Sequence, residues 1–106
     1  MITYRDSVEN INPDQLAGFF EGWKRKVSPE EHLKLLKNSD EIVIAIDDET
    51  GKVIGFINAI SDSTLSAFIP LLEVLPEYRR RGIGEELVKK LMSKLERYYG
   101  VDLICD

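Results

Sequence analysis

The residues with the clearest chemical potential run from 76 to 84: Pro76-Glu77-Tyr78-Arg79-Arg80-Arg81-Gly82-Ile83-Gly84. Gly82 and Gly84 lie one residue apart, so a backbone turn can close there without Cβ clashes. The apolar periodicity that follows predicts a helix from about Ile83, whose first amide groups lack intrahelical acceptors and converge on one point. Arg79, Arg80 and Arg81 add positive charge beside those donors. Together they describe a cradle for a phosphate or pyrophosphate. A solvated charge run is the plainer account of the same residues. Arginines at a helix start oppose its dipole, however, and a bound anion relieves that conflict. The spacing is neither GxxxxGK[ST] nor GxGxxG, so it marks neither a P-loop nor a dinucleotide fingerprint.

Other residue types with chemical reach are few. Glu73 is a carboxylate inside an apolar stretch and is either a general-base candidate or a side chain facing solvent. His32, the single histidine, falls early in a helix and is expected at the surface without a role. Cys105, the single cysteine, suits a small buried strand residue better than a nucleophile. The tyrosines are Tyr4, Tyr78, Tyr98 and Tyr99.

Composition narrows the function classes. A chain of 106 residues reads as one domain, 1–106, with a single core. Hydrophobic residues make up 43% and charged residues 31%, the balance of a globular protein. The formal net charge of −5 argues against general nucleic-acid binding and favours cationic, amine-bearing partners. One cysteine allows no internal disulfide, which fits a reducing compartment, and no apolar run approaches the about 20 residues of a membrane span. A cytoplasmic location is expected.

The elements that must position the candidate residues follow from periodicity. Residues 1–5 alternate as a first strand. Asn12 and Pro13 read as N-cap and first position of a helix carrying Leu16, Phe19, Phe20 and Trp23 on one face. Ser28 and Glu31 have the spacing of a capping box for a second helix with Leu33, Leu35 and Leu36 as its apolar stripe. Residues 42–46 and 53–60 form a hairpin around a loop at 47–52 that contains Gly51. A long strand spans about 65–75, with a bulge expected at Pro70, which cannot donate to a ladder. The helix after the glycines carries Ile83, Leu87, Val88, Leu91, Met92, Leu95, Tyr98 and Tyr99 on one face, with Gly100 as C-cap. Residues 101–105 are short and apolar enough for a final buried strand. The order is β-α-α-β-β-β-α-β, an α/β fold.

The stretch Leu72-Glu73-Val74-Leu75-Pro76-Glu77-Tyr78-Arg79-Arg80-Arg81-Gly82-Ile83-Gly84, with its Arg79-x-x-Gly82-x-Gly84 core, resembles the acetyl-CoA motif of the GNAT superfamily of N-acetyltransferases. The element order matches that fold from its first strand through its fifth. The resemblance therefore implies a three-layer α/β/α fold around a mixed, mostly antiparallel sheet. It implies a bulged fourth strand that splays from the fifth to admit the pantetheine arm of acetyl-CoA, the expected co-substrate, with no metal. By position, the backbones of Leu72, Glu73 and Val74 pair with pantetheine and thioester. The amides of Arg80, Arg81, Gly82, Ile83, Gly84 and Glu85, approached through Arg79, hold the pyrophosphate.

Acyl transfer from a thioester builds negative charge on the carbonyl oxygen, which a fixed N–H such as that of Val74 would stabilise. Glu73 is the candidate base for the amine proton. Phe20 and Trp23 are candidate walls of the acceptor pocket, because this region borders that pocket in the family. The implied activity is N-acetylation of a primary amine of a small molecule or peptide. Family members continue past the fifth strand into elements carrying a general-acid tyrosine that has no counterpart among these residues. A truncated relative that binds acetyl-CoA or CoA as a sensor is accordingly the alternative, with weak or absent turnover. The apolar strand at 101–105 is expected to pair with a second copy in a homodimer.

Overall fold

A computed structural model provides the three-dimensional structure, which describes residues 1–62, 64–96 and 100–103. Five strands form one sheet in sequential order: β1 (Ile2–Arg5), β2 (Glu41–Asp47), β3 (Lys52–Ser61), β4 (Ser66–Val74) and β5 (Gly100–Leu103). The first three pairings are antiparallel, whereas β5 runs parallel to β4 after the crossover through a helix. The α/β class and the mixed, mostly antiparallel sheet expected from the sequence are those observed. The helices are α1 (Pro29–Asn38) and α2 (Ile83–Lys94).

The centre of the sheet explains why both faces carry cover. Ile42, Val43, Ile44, Ala45 and Ile46 of β2 are all buried, as are Val53, Ile54, Phe56, Ile57 and Ala59 of β3. Alternation sends adjacent side chains to opposite faces, so a strand buried at every position needs a layer on each side. Gly55 faces α2, where an added Cβ would sit 3.2 Å from Leu87 Cδ1; the missing side chain lets the helix lie close. Ile83, Leu87, Leu91 and Leu95, spaced one turn apart, are the buried stripe of that layer. On the other face Phe56 meets Phe19, at 5.3 Å between ring centroids, and His32, at 4.3 Å.

Pro70 carries the expected irregularity. Between the pairs Asn58–Leu71 and Ile60–Phe68, β4 advances three residues while β3 advances two, which is a bulge at residues 69–70. Recorded pairing of β4 with β5 runs from Ser66–Gly100 to Ile69–Leu103, on the near side of that bulge.

Three expectations differ from the structure. The first predicted helix is only a 3₁₀ turn, Pro13–Leu16, started by Pro13 after Asn12, whose N–H donates to Gln15 Oε1 at 3.0 Å. Left-handed backbone at Gly18 (φ 100), Phe20 (φ 64) and Gly22 (φ 84) breaks the helical path that the apolar spacing suggested. Next, α2 ends at Lys94 rather than running to Gly100, and the Leu95 N–H is shared between the Leu91 and Met92 carbonyls. Gly100 instead opens β5; Tyr98, Tyr99, Ile104, Cys105 and Asp106 lie outside the described residues, and with them part of the expected strand and dimer edge. Third, His32 is buried, at 1% exposure. It sits one turn before Leu36 on the inner face of α1, a helix opened by the predicted capping box: Glu31 N–H to Ser28 Oγ at 3.1 Å, and Ser28 N–H to Glu31 Oε1 at 3.1 Å.

Candidate functional site

Two clefts open beside the end of β4, and they share Val74, Arg79 and Gly84. One, of about 270 Å³, is lined by the turn and helix start: Val74, Tyr78, Arg79, Arg80, Gly82, Ile83, Gly84 and Glu85. The other, of about 370 Å³, adds Glu21, Trp23, Leu72 and Glu73 to the shared residues.

The first cleft has the construction of an anion cradle. After the 3₁₀ turn Pro76–Tyr78, the backbone is left-handed at Arg80 (φ 65) and at Gly82 (φ 78) but not at Arg81 between them. Alternation of hand curls successive N–H groups toward one point, as in an anion nest. Helix α2 begins directly afterwards, and its first bond is Glu86 N–H to Gly82 O at 3.0 Å. The amides of Ile83, Gly84 and Glu85 therefore have no carbonyl within the helix. A Cβ at Gly82 would meet nothing within 4 Å, so the positive φ is what asks for glycine there. The turn is tied down from below: Tyr78 Oη donates to Asp47 Oδ2 at 2.6 Å, and Arg81 lies 5.3 Å over the Tyr78 ring. That bond holds the Asp47 carboxyl below its ordinary range and raises the Tyr78 hydroxyl. The arginines do not act as a set. Arg79 Nε donates to Val74 O at 2.9 Å and so braces the strand end.

The register of β4 decides which backbone groups face the clefts. Leu75 N–H bonds Ile54 O at 2.9 Å, which makes that pair a hydrogen-bonded one. Pairs alternate in an antiparallel ladder. Glu73, opposite Phe56, therefore turns its backbone toward β3, while Leu72 and Val74, opposite Ile57 and Gly55, turn theirs away from it. The bond from Arg79 to the Val74 carbonyl has the same sense. Leu72 and Val74 therefore turn their backbone groups away from β3, whereas those of Glu73 are turned into the ladder.

Glu73 instead offers its side chain. The half-buried carboxylate accepts the Phe20 N–H at 3.2 Å on Oε1 and 3.3 Å on Oε2. Burial raises its pKa; the Phe20 N–H and Arg79 oppose that effect, and Glu21 adds to it. Trp23 lines this cleft, its ring edge-on to Phe20 at 5.0 Å between centroids. Phe20 does not line it: at 2% exposure its ring lies in the core behind Trp23. Ile83 is likewise buried at 4%, which leaves only its backbone to face the cradle.

The Phe20 clamp and the Tyr78–Asp47 tie escape sequence reasoning because they join residues 53 and 31 positions apart. Gly18 and Gly22 on either side of Phe20 were the one local signal that this segment is a shaped loop.

The sequence model of the acetyltransferase (GNAT) family matches residues 8–105. The uncharacterized N-acetyltransferase ycf52 of Pyropia yezoensis is 30% identical over 99 residues, 89% of this chain and 56% of that protein. The chain thus spans little more than half the length of this curated relative. A crystal structure from Deinococcus radiodurans R1 assigned as an acetyltransferase shares 43% identity, with a TM-score of 0.93 over 99% of this chain and 73% of its own. A GNAT family acetyltransferase from Streptococcus pneumoniae TIGR4 shares 30% identity at a TM-score of 0.77, over 100% of this chain and 76% of its own.

Proposed function

The chain belongs to the acetyltransferase (GNAT) family, and from that premise we propose that it is an acetyl-CoA-dependent N-acetyltransferase acting on a primary amine of a small molecule or peptide. The observation that carries the reading is the meeting of the two clefts at Val74, with unbonded helix amides on one side and a half-buried carboxylate on the other.

The residues fit the co-substrate. The amides of Ile83, Gly84 and Glu85, the nest at residues 80–82 and the charge of Arg80 would hold its pyrophosphate. Bound acetyl-CoA would supply an activated acetyl thioester. The outward backbone of Leu72 and Val74 would align the adjacent arm, and the Val74 N–H is the donor suited to an acyl oxygen that gains charge. Glu73 is the base: its raised pKa suits proton acceptance, and its place beside Val74 puts it in the cleft an amine would enter. Trp23 offers an apolar wall and Glu21 a second carboxylate, so a cationic amine with an apolar body is the acceptor class that fits. A cytoplasmic location belongs to the same proposal and is supported by the single cysteine.

Calorimetric titration with CoA tests the cradle. Gly82→Val should lower affinity at least about tenfold, because a β-branched residue disfavours the left-handed backbone (φ 78) that aims the amides. Retention of wild-type affinity in that variant would refute the assignment. Thiol release from acetyl-CoA over an amine panel then tests turnover.

A further inference from the structure

The link between the loop at residues 17–23 and Glu73 joins the core to the cleft. We propose that Phe20 is a positioning residue of the acceptor site: its left-handed backbone aims an N–H that holds the Glu73 carboxylate in place, while its ring anchors that N–H to the core. The inference rests on the reading of Glu73 as base.

Phe20 has φ 64, a region that bulky L-residues rarely occupy unless their surroundings impose it. The surroundings here are explicit. The ring is 2% exposed and packs against Trp23 and His32, each at 5.0 Å, and against Phe56 at 5.9 Å. The loop is tied at its start, where Lys52 Nζ donates to Ala17 O and Gln15 Nε2 donates to Gly51 O at 2.7 Å. Trp23 N–H closes back on Phe20 O at 3.3 Å. The result of this conformation is one N–H shared by both oxygens of Glu73, at 3.2 and 3.3 Å.

A carboxylate accepts a hydrogen bond more strongly when ionised, so this donor favours the charged form. Arg79, at the turn after β4, acts in the same direction; burial and Glu21, on the loop itself, act against it. Loss of the donor leaves Arg79 alone against those two, and the Glu73 midpoint must rise. A higher midpoint narrows the pH range over which Glu73 is ionised and can take the proton of an amine. Because the same ring supports Trp23, one residue sets both the state of the base and the apolar wall facing it.

The test is a pH titration of the Glu73 carboxyl by carbon NMR on the full chain, with its resonance assigned by loss in Glu73→Gln. Phe20→Gly keeps the N–H and tolerates the backbone but removes the anchor. The Glu73 midpoint should rise by about half to one pH unit. Emission of Trp23, the single tryptophan, should shift red in Phe20→Gly and stay unchanged in Glu73→Gln, whose amide oxygen still accepts the bond. An unchanged midpoint in folded Phe20→Gly overturns the proposal. If that variant does not fold, Phe20→Leu decides by the same titration: a smaller rise supports the proposal and none overturns it. Where acetyl transfer is measurable, the acid limb of kcat/KM moves with the midpoint. A wild type that moves no acetyl group, with the midpoint still shifted in Phe20→Gly, refutes the catalytic reading and leaves the clamp.

Discussion

His32 makes the stability of this protein depend on pH between about 6.5 and about 4. Its ring is 1% exposed, Phe56, Phe20 and Phe19 stand 4.3, 5.0 and 5.2 Å away, and neither ring nitrogen has a hydrogen-bond partner among the described residues. Burial alone lowers its pKa from 6.5 to about 4. In the unfolded chain the imidazole takes up a proton near 6.5, while in the folded chain it resists until about 4. Between those values the unfolded state binds more protons, so stability is full above 6.5 and falls as the pH drops. From pH 7.5 to 4.5 the loss from this one group is about 2.5 kcal/mol, a large share of the 5–15 kcal/mol typical of a domain. Urea unfolding followed by Trp23 emission, at several pH values, measures it in the wild type and in His32→Leu. Carboxylates contribute equally to both proteins, so the difference between the two curves isolates His32. That difference should move by about 2.5 kcal/mol in favour of the variant as the pH falls. At pH 7 the variant should be about as stable or slightly more so, since it removes an unsatisfied polar group. Parallel curves, or an imidazole resonance that titrates near 6.5 in the folded protein, would refute the reasoning.

Two further outcomes follow from packing. Tyr78→Phe removes a 2.6 Å bond to the Asp47 carboxylate and should lower the midpoint of thermal or urea unfolding, with weaker CoA affinity because the turn before the cradle loses its tie. Gly55→Val places carbon atoms where Leu87 Cδ1 already lies 3.2 Å from a Cβ and Glu73 O lies 3.4 Å away, so overpacking should destabilise the protein by about 1–3 kcal/mol; a neutral result would show that α2 can lift from the sheet without cost.

Local signals were enough for the frame. The turn we propose as a phosphate cradle was legible as a turn because a glycine with positive φ, a helix start and clustered arginines all fall within nine consecutive residues. The capping box at Ser28 and Glu31, the Pro70 bulge and the α2 stripe were equally local, each set by one residue's backbone limits or by a fixed period. The tertiary structure decided what depended on distance along the chain. Apolar spacing at Leu16, Phe19, Phe20 and Trp23 is the same for a helix and for a folded-in loop. Only the glycines' positive φ and the pull of the aromatic cluster selected the loop. His32 looked like a surface residue because a titratable side chain usually avoids burial, and only the three phenylalanines brought around it from two other segments made burial the outcome. Glu73 could be read as solvent-facing or as a base. The strand register turned its backbone inward, and a loop 53 residues earlier supplied the N–H that fixes its side chain in the cleft. Periodicity assigns a residue to a face, but which groups meet across that face is set by the register and by chain segments that no local pattern encodes.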